Sequence, residues 1–211
     1  CKVIKEASRE KPLFLTTSFY APHPPLFPPK DFFDRNKEKK LPPPARGDWV
    51  KWGSLTPQGD RSRHRVLLEG EVLKNAQAGY YGLIEHIDSR IAAVIQAFKE
   101  RSREAGRPWV IFVVCDHGEM MGDHGYYRKC EPYEGAANIP FMVSGAPELG
   151  FQKGAVINEP VCLEDVKPTC LTLAGVKSPA PLDGVNLIPA LRGKKQSIRS
   201  VLHFEHSPCY S

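Results

Sequence analysis

Trp109–Lys129 reads WVIFVVCDHGEMMGDHGYYRK, and the fold is decided here. The run from Trp109 to Cys115 is apolar and mostly β-branched or aromatic, too short for a helix and suited to a strand covered on both faces. The spacing predicts a central strand of a parallel sheet. Polar chemistry starts where the run stops, at Asp116 and His117, followed by Gly118, Gly122 and Gly125 with Glu119, Asp123 and His124 between them. Ligands of open α/β sheets sit at the carboxyl ends of strands, so the site is expected at this point. A carboxylate beside an imidazole suits a divalent cation, and glycines let the backbone turn close by. Two ligands do not complete a site, and Asp-His-Gly alone equally describes a loop in which Asp116 caps a turn.

Ahead of this stretch, Glu69 to Glu104 is helical in pattern, with Tyr80, Ile84, Ile87, Ile91, Val94, Ile95 and Phe98 recurring at three- and four-residue steps as an expected buried stripe. His86 and Asp88 fall off it. Gly106-Arg107-Pro108 ends the helix and leads into the strand, a crossover that fits a parallel or mixed sheet. Earlier still, Leu13 to Tyr20 fits a buried strand running into Ala21-Pro22-His23-Pro24-Pro25. Those prolines present His23 on a stiff support, although a lone histidine is more often structural than catalytic.

Behind it, Tyr133 to Ala137 fits a short helical turn and Ile139 to Val143 a second strand with proline near its start. Glu164 or Asp165 can cap a helix reaching Ala174, which Gly175 stops; Asp183-Gly184 is a turn and Val201 to Glu205 a late strand. Glu205-His206-Ser207 is no catalytic triad, because adjacent residues cannot face one another as such a relay requires.

A chain of 211 residues with ordinary apolar and charged fractions can bury a sizeable core, and one α/β domain is the simplest count. No apolar run approaches the roughly 20 residues that cross a bilayer, and the opening Cys1-Lys2-Val3 has neither a signal-peptide shape nor an initiator methionine. A piece of a longer protein is expected. Cysteines at 1, 115, 130, 162, 170 and 209 form no Cys-Xaa-Xaa-Cys pair and are expected mostly as thiols, with Cys162 and Cys170 the one pairing considered. Residues 35–65 concentrate basic side chains around Pro42-Pro43-Pro44; a solvated excursion is the plainer reading, and a rim attracting an anionic substrate the sharper one. No motif supports nucleic-acid binding.

The extended pattern Asp116-His117-Gly118-Glu119 through Gly122-Asp123-His124-Gly125, with Lys129, Tyr133-Glu134 and Ile139-Pro140-Phe141, resembles the sulfatase family of the alkaline phosphatase superfamily. Lys11 to Lys30 resembles that family's strand and active-site histidine loop, and Leu163 to Leu191 its later helix and Asp-Gly-Xaa-Xaa-Leu turn. The resemblance implies an α/β fold with a central mostly parallel (mixed) sheet flanked by helices, of which residues 1–211 supply an incomplete, central to C-terminal part. It further implies a sulfuric ester hydrolase in which Asp116 and His117 help to hold a divalent metal, usually calcium, Lys129 binds the sulfate group and His23 assists departure of the alcohol. A phosphodiesterase or phosphonate monoester hydrolase of the same superfamily, and a non-catalytic anion-binding module, are the alternatives.

Sulfatases carry a nucleophile made from Cys or Ser in a Cys/Ser-Xaa-Pro-Xaa-Arg motif, converted to formylglycine by a maturating enzyme. Here Cys130-Glu131-Pro132 begins correctly, but no arginine follows at the required place. The nucleophile and the family's N-terminal acidic ligands are expected upstream of residue 1, and this chain alone is expected to be inactive. The resemblance also implies a sulfated small molecule or carbohydrate as substrate and favours a periplasmic or secreted location, which the sequence itself leaves unknown; the residues point to no nucleic-acid or membrane partner. A homo-oligomer is expected through an exposed sheet edge. Cys115, where the family often has Ser or Thr, and Asn138, where it often has a basic residue, are departures that bear on the subfamily.

Overall fold

The computed structural model describes residues 1–55, 65–194 and 198–204. The chain forms two compact units, one of Cys1–Arg107 with His117–Asn138 and the other of Pro108–Asp116 with Ile139–Ser211.

The first unit is built on helices α1 (Lys2–Glu6), α2 (Lys30–Lys37), α3 (Gly70–Glu104) and α4 (Glu134–Ala137). The long helix is where its periodicity predicts, with Arg101 and Arg103 in its last turn countering the helix dipole. Gly106 then takes φ +60°, the left-handed stop that a side chain resists. The expected apolar stripe is only half-buried, and Ile84 is exposed. What α3 buries instead is Gln77, Ala78, Gly79, Gly82 and Leu83, then Ala97, Arg101 and Ser102. Close approach explains the difference: a Cβ on Gly79 would lie 2.5 Å from the Leu26 carbonyl oxygen, and one on Gly82 2.8 Å from Pro28. Small residues therefore mark where the chain entering α2 crosses α3, a signal that hydrophobic periodicity does not carry. Ile4 of α1 is buried, and Arg101 donates to the Ser8 and Lys11 carbonyls.

The second unit holds the sheet. Strand β1 (Val110–Val114) pairs with β2 (Phe141–Gly145), Val110 opposite Gly145 and Val114 opposite Phe141. The pairing is antiparallel, in contrast to the parallel neighbour expected for β1. A continuous apolar run encodes coverage on both faces, not the direction of the adjacent strand. Leu13–Tyr20, expected as a buried strand, is mostly exposed and has no ladder partner among the described residues, and residues 201–204 likewise form no strand. Residue 205, the triad-like Glu205-His206-Ser207 and Cys209 lie outside the described residues.

A single turn at Leu163–Asp165 leads into α5 (Val166–Leu173), and α6 (Ile188–Leu191) follows. Asp165 caps from a different position than expected: Cys162 is the N-cap of the leading turn, and the Asp165 carboxylate, three residues on, reaches back to accept the Cys162 backbone N–H at 2.9 Å, while among the described residues no side chain caps the start of α5 itself. Asp165 also accepts Val185 N–H at 2.7 Å, and Thr169 Oγ1 accepts Leu187 N–H at 2.9 Å. The Asp183-Gly184 bend is thereby docked on α5. Only glycine fits there, because a Cβ on Gly184 would stand 1.9 Å from the Glu164 carbonyl oxygen. Arg199 closes the cluster with two bonds of 2.6 Å to Asp165. Cys1, Cys115, Cys130, Cys162 and Cys170 form no disulfide.

Candidate active site

The first unit brings together two of the residues expected in the site. In the loop after Tyr20, His23 N–H donates to the Tyr20 carbonyl at 3.1 Å, and its Nδ1 lies 2.8 Å from the Pro24 carbonyl. A carbonyl only accepts, so Nδ1 carries the ring proton and Nε2 keeps a lone pair. Lys129 Nζ stands 3.1 Å from that Nε2 and donates to it, across 106 positions of sequence. Both side chains are half-buried.

Lys129 is placed by the loop running from His117 to α4. Gly118 N–H donates to the Ala136 carbonyl at 2.7 Å, at an approach so close that a Cβ on Gly118 would lie 2.2 Å from the Gly135 oxygen. Met120 is almost completely buried, and its N–H donates to the Arg128 carbonyl at 2.8 Å. The Glu119 carboxylate accepts the backbone N–H groups of Met121 and Arg128. Met121, His124 and Arg128 all sit at positive φ, a cost for residues with a Cβ that these backbone contacts offset. The loop is thus tied off immediately before Lys129.

The second Asp-His-Gly, at 123–125, does a different job from the first. Asp123 Oδ1 accepts Ala45 N–H at 2.7 Å, His124 N–H donates to the Ala45 carbonyl at 2.8 Å, and His124 Nδ1 accepts Gly47 N–H at 3.1 Å. These bonds clip the proline-rich excursion to the loop. Trp49 then stacks on Tyr133 with centroids 5.6 Å apart and lies 5.3 Å from His124. Sequence reading left Asp123 and His124 without a role; the signal was the repeat of Asp-His-Gly itself, which separates a polar pair at a strand end from one in mid-loop.

Among the described residues, several basic side chains of the excursion are paired. Arg35 and Lys39 meet Glu85, Lys37 meets Glu71 and Arg46 meets Glu69, while Arg46 also covers the Trp52 ring and Arg65 the Tyr126 ring. Arg61 and Arg63 lie outside the described residues.

The chain passes from one unit to the other between Asp116 and His117. Asp116 is exposed just beyond the C-terminal end of β1. His117 is half-buried with Nδ1 2.8 Å from the Gly118 carbonyl, which puts the proton on Nδ1 and the lone pair on Nε2, the form that ligates a metal. Among the described residues no cluster of three or more His, Cys, Asp or Glu side chains could hold an ion. Burial, and then the Asp116 charge, push the Cys115 thiol above its ordinary value, so Cys115 is a poor nucleophile at neutral pH. No helix among the described residues is long and apolar enough to cross a membrane.

The chain is 36% identical over 206 residues to an arylsulfatase of Clostridium perfringens, covering 97% of this chain and 42% of that protein. It superposes on a phosphonate monoester hydrolase of Agrobacterium radiobacter with a TM-score of 0.73 at 25% identity, covering 92% of this chain and 41% of the other. A phosphonate monoester hydrolase of Silicibacter pomeroyi matches with a TM-score of 0.66 at 31% identity, over 85% and 37% of the two chains. The chain spans about two fifths of the length of these relatives. The α/β fold expected from the sequence is the one these neighbours share. A family profile described as sulfatase matches residues 2–176, and the chain belongs to the sulfatase family.

Proposed function

We propose that the whole protein hydrolyses sulfate esters, with His23 and Lys129 as the pair that handles the transferred group and the leaving oxygen. The observation that carries this reading is the 3.1 Å contact between Lys129 Nζ and His23 Nε2. An ammonium and an imidazole nitrogen meeting at one point give an incoming oxyanion a charged donor beside a proton carrier. In the resting chain the ammonium is spent on the imidazole lone pair. A bound sulfate ester draws Lys129 onto its own oxygens and frees Nε2 to take up a proton from solvent water, which His23 then gives to the departing alcohol oxygen as the S–O bond breaks.

Sulfatases as a family work with a divalent metal and a formylglycine, and the metal supplies charge neutralisation at the sulfate oxygens. Asp116 and His117 would contribute to holding it, and calcium is the ion we propose. His117 fits that duty through its Nε2 lone pair, fixed by the bond to the Gly118 carbonyl. The proposal includes a maturating enzyme that makes the formylglycine, and a sulfated small molecule or carbohydrate as substrate. The likeness to two phosphonate monoester hydrolases favours phosphorus ester hydrolysis as the second reading.

The test is turnover by the full-length protein of matched aryl sulfate, phosphate monoester and phosphodiester substrates, together with mass spectrometry of its N-terminal peptides. Fastest turnover of the sulfate, with an aldehyde at a Cys/Ser-Xaa-Pro-Xaa-Arg site, is expected. A faster phosphorus ester supports the second reading, and absence of the nucleophile motif sinks both.

A further inference from the structure

We propose that Tyr20 is a positioning residue for His23, a role that rests on the reading of His23 as the group facing the leaving oxygen. The Tyr20 carbonyl accepts His23 N–H at 3.1 Å, which fixes the backbone of the turn. The Tyr20 ring packs on the imidazole with centroids 4.7 Å apart and planes inclined at 44°. Its hydroxyl donates to the Pro24 carbonyl at 3.4 Å, the same oxygen that takes His23 Nδ1–H at 2.8 Å.

The imidazole is therefore bounded by Tyr20 on its ring, by the Pro24 oxygen at Nδ1 and by Lys129 at Nε2. A ring that turns about its Cβ–Cγ bond loses the Pro24 bond and can carry its proton on either nitrogen. Only the orientation with Nδ1–H on Pro24 offers Nε2 to Lys129 and to an incoming substrate. Tyr20 is 73% exposed, so its position is not explained by burial of its own surface. Its contacts are with the turn that presents His23. The ring-to-ring packing is the larger part of the effect, since a 3.4 Å hydroxyl contact is long for an O–H···O bond.

The experiment is nitrogen-15 correlation spectroscopy of the imidazole rings in the 211-residue chain, at a pH where His23 is neutral. In wild type the two His23 nitrogens are expected to be well separated, with the proton on Nδ1, and Tyr20→Phe keeps that separation. Tyr20→Ala loses most of it as the ring samples both tautomers, while the His117 signals stay where they are. Tyr20→Leu, which keeps apolar bulk without a flat ring, behaves like Tyr20→Ala and guards against a folding defect in the smaller variant. Wild-type separation in both Tyr20→Ala and Tyr20→Leu overturns the proposal. In the full-length enzyme Tyr20→Ala lowers kcat with KM unchanged, and Tyr20→Phe restores it. Turnover of His23→Ala is measured separately: wild-type turnover there overturns the catalytic reading, even where the tautomer result upholds the Tyr20 contact.

Discussion

Lys129 Nζ donates to His23 Nε2 at 3.1 Å, and the bond exists only while that nitrogen holds a lone pair. The resting pair is thus an imidazole lone pair facing an ammonium, an arrangement that an incoming oxyanion can enter by taking the ammonium for itself. Replacing His23 by Ala in the full-length protein is expected to lower turnover by roughly a hundredfold or more, the range of a lost general acid. Bound divalent cation should be retained, because neither residue is among the proposed metal ligands. Lys129→Met, which keeps the stem and loses the charge, should also cost about a hundredfold in kcat. Equal losses of turnover and of cation in His23→Ala, measured on one preparation, would count against the assignment.

The two Asp-His-Gly copies are expected to separate cleanly under mutation. His124 Nδ1 is occupied by Gly47 N–H, and Asp123 by Ala45 N–H, so the second copy holds the excursion that carries Trp49. His124→Ala should cost about 1 kcal/mol of stability for the lost acceptor and change tryptophan fluorescence as Trp49 loses a neighbour. In the full-length protein it should leave cation content alone, whereas His117→Ala should reduce it. Denaturant melts and metal analysis on both variants decide the matter; cation loss in His124→Ala at unchanged stability would exchange the roles of the two copies.

How much of this was legible in the sequence follows from the physics of each signal. The strand at Val110–Val114, the helix at Gly70–Glu104 and the helix ending before Gly175 were readable because burial and capping are local patterns. The direction of β2 was not, since pairing direction is a property of the partner rather than of the run. Gly79 and Gly82 were passed over as ordinary helix residues because only the crossing of Leu26 and Pro28 makes a side chain intolerable there. His23 and Lys129 were nominated by a family resemblance, not by spacing. No periodic feature connects positions so far apart, and their contact comes from loops tied by single backbone bonds such as Gly118 to Ala136. Tyr20 carried no sequence signal beyond standing three residues before the histidine.

The Asp165–Arg199 pair gives the chain an acid-sensitive joint, and the sign follows from its surroundings. Burial works to raise the Asp165 carboxyl, but hydrogen bonds from Arg199, Val185 and Cys162 outweigh it and hold the group below the usual carboxylate range. A carboxyl whose value is depressed by folding stabilises the fold above its unfolded value, about 4, and that contribution disappears as pH falls through the lower folded value. Thermal melts should therefore show stability falling on the acid side of about pH 4, and Asp165→Asn should flatten that limb while lowering stability at neutral pH. Arg199→Ala leaves a fully buried carboxylate without its bidentate partner and should cost about 3 kcal/mol near pH 7. Its loss should shrink as the pH is lowered, because protonating Asp165 removes the unpaired charge. A constant difference between wild type and Arg199→Ala from pH 7 down to pH 3 would mean that the pair is held by packing alone.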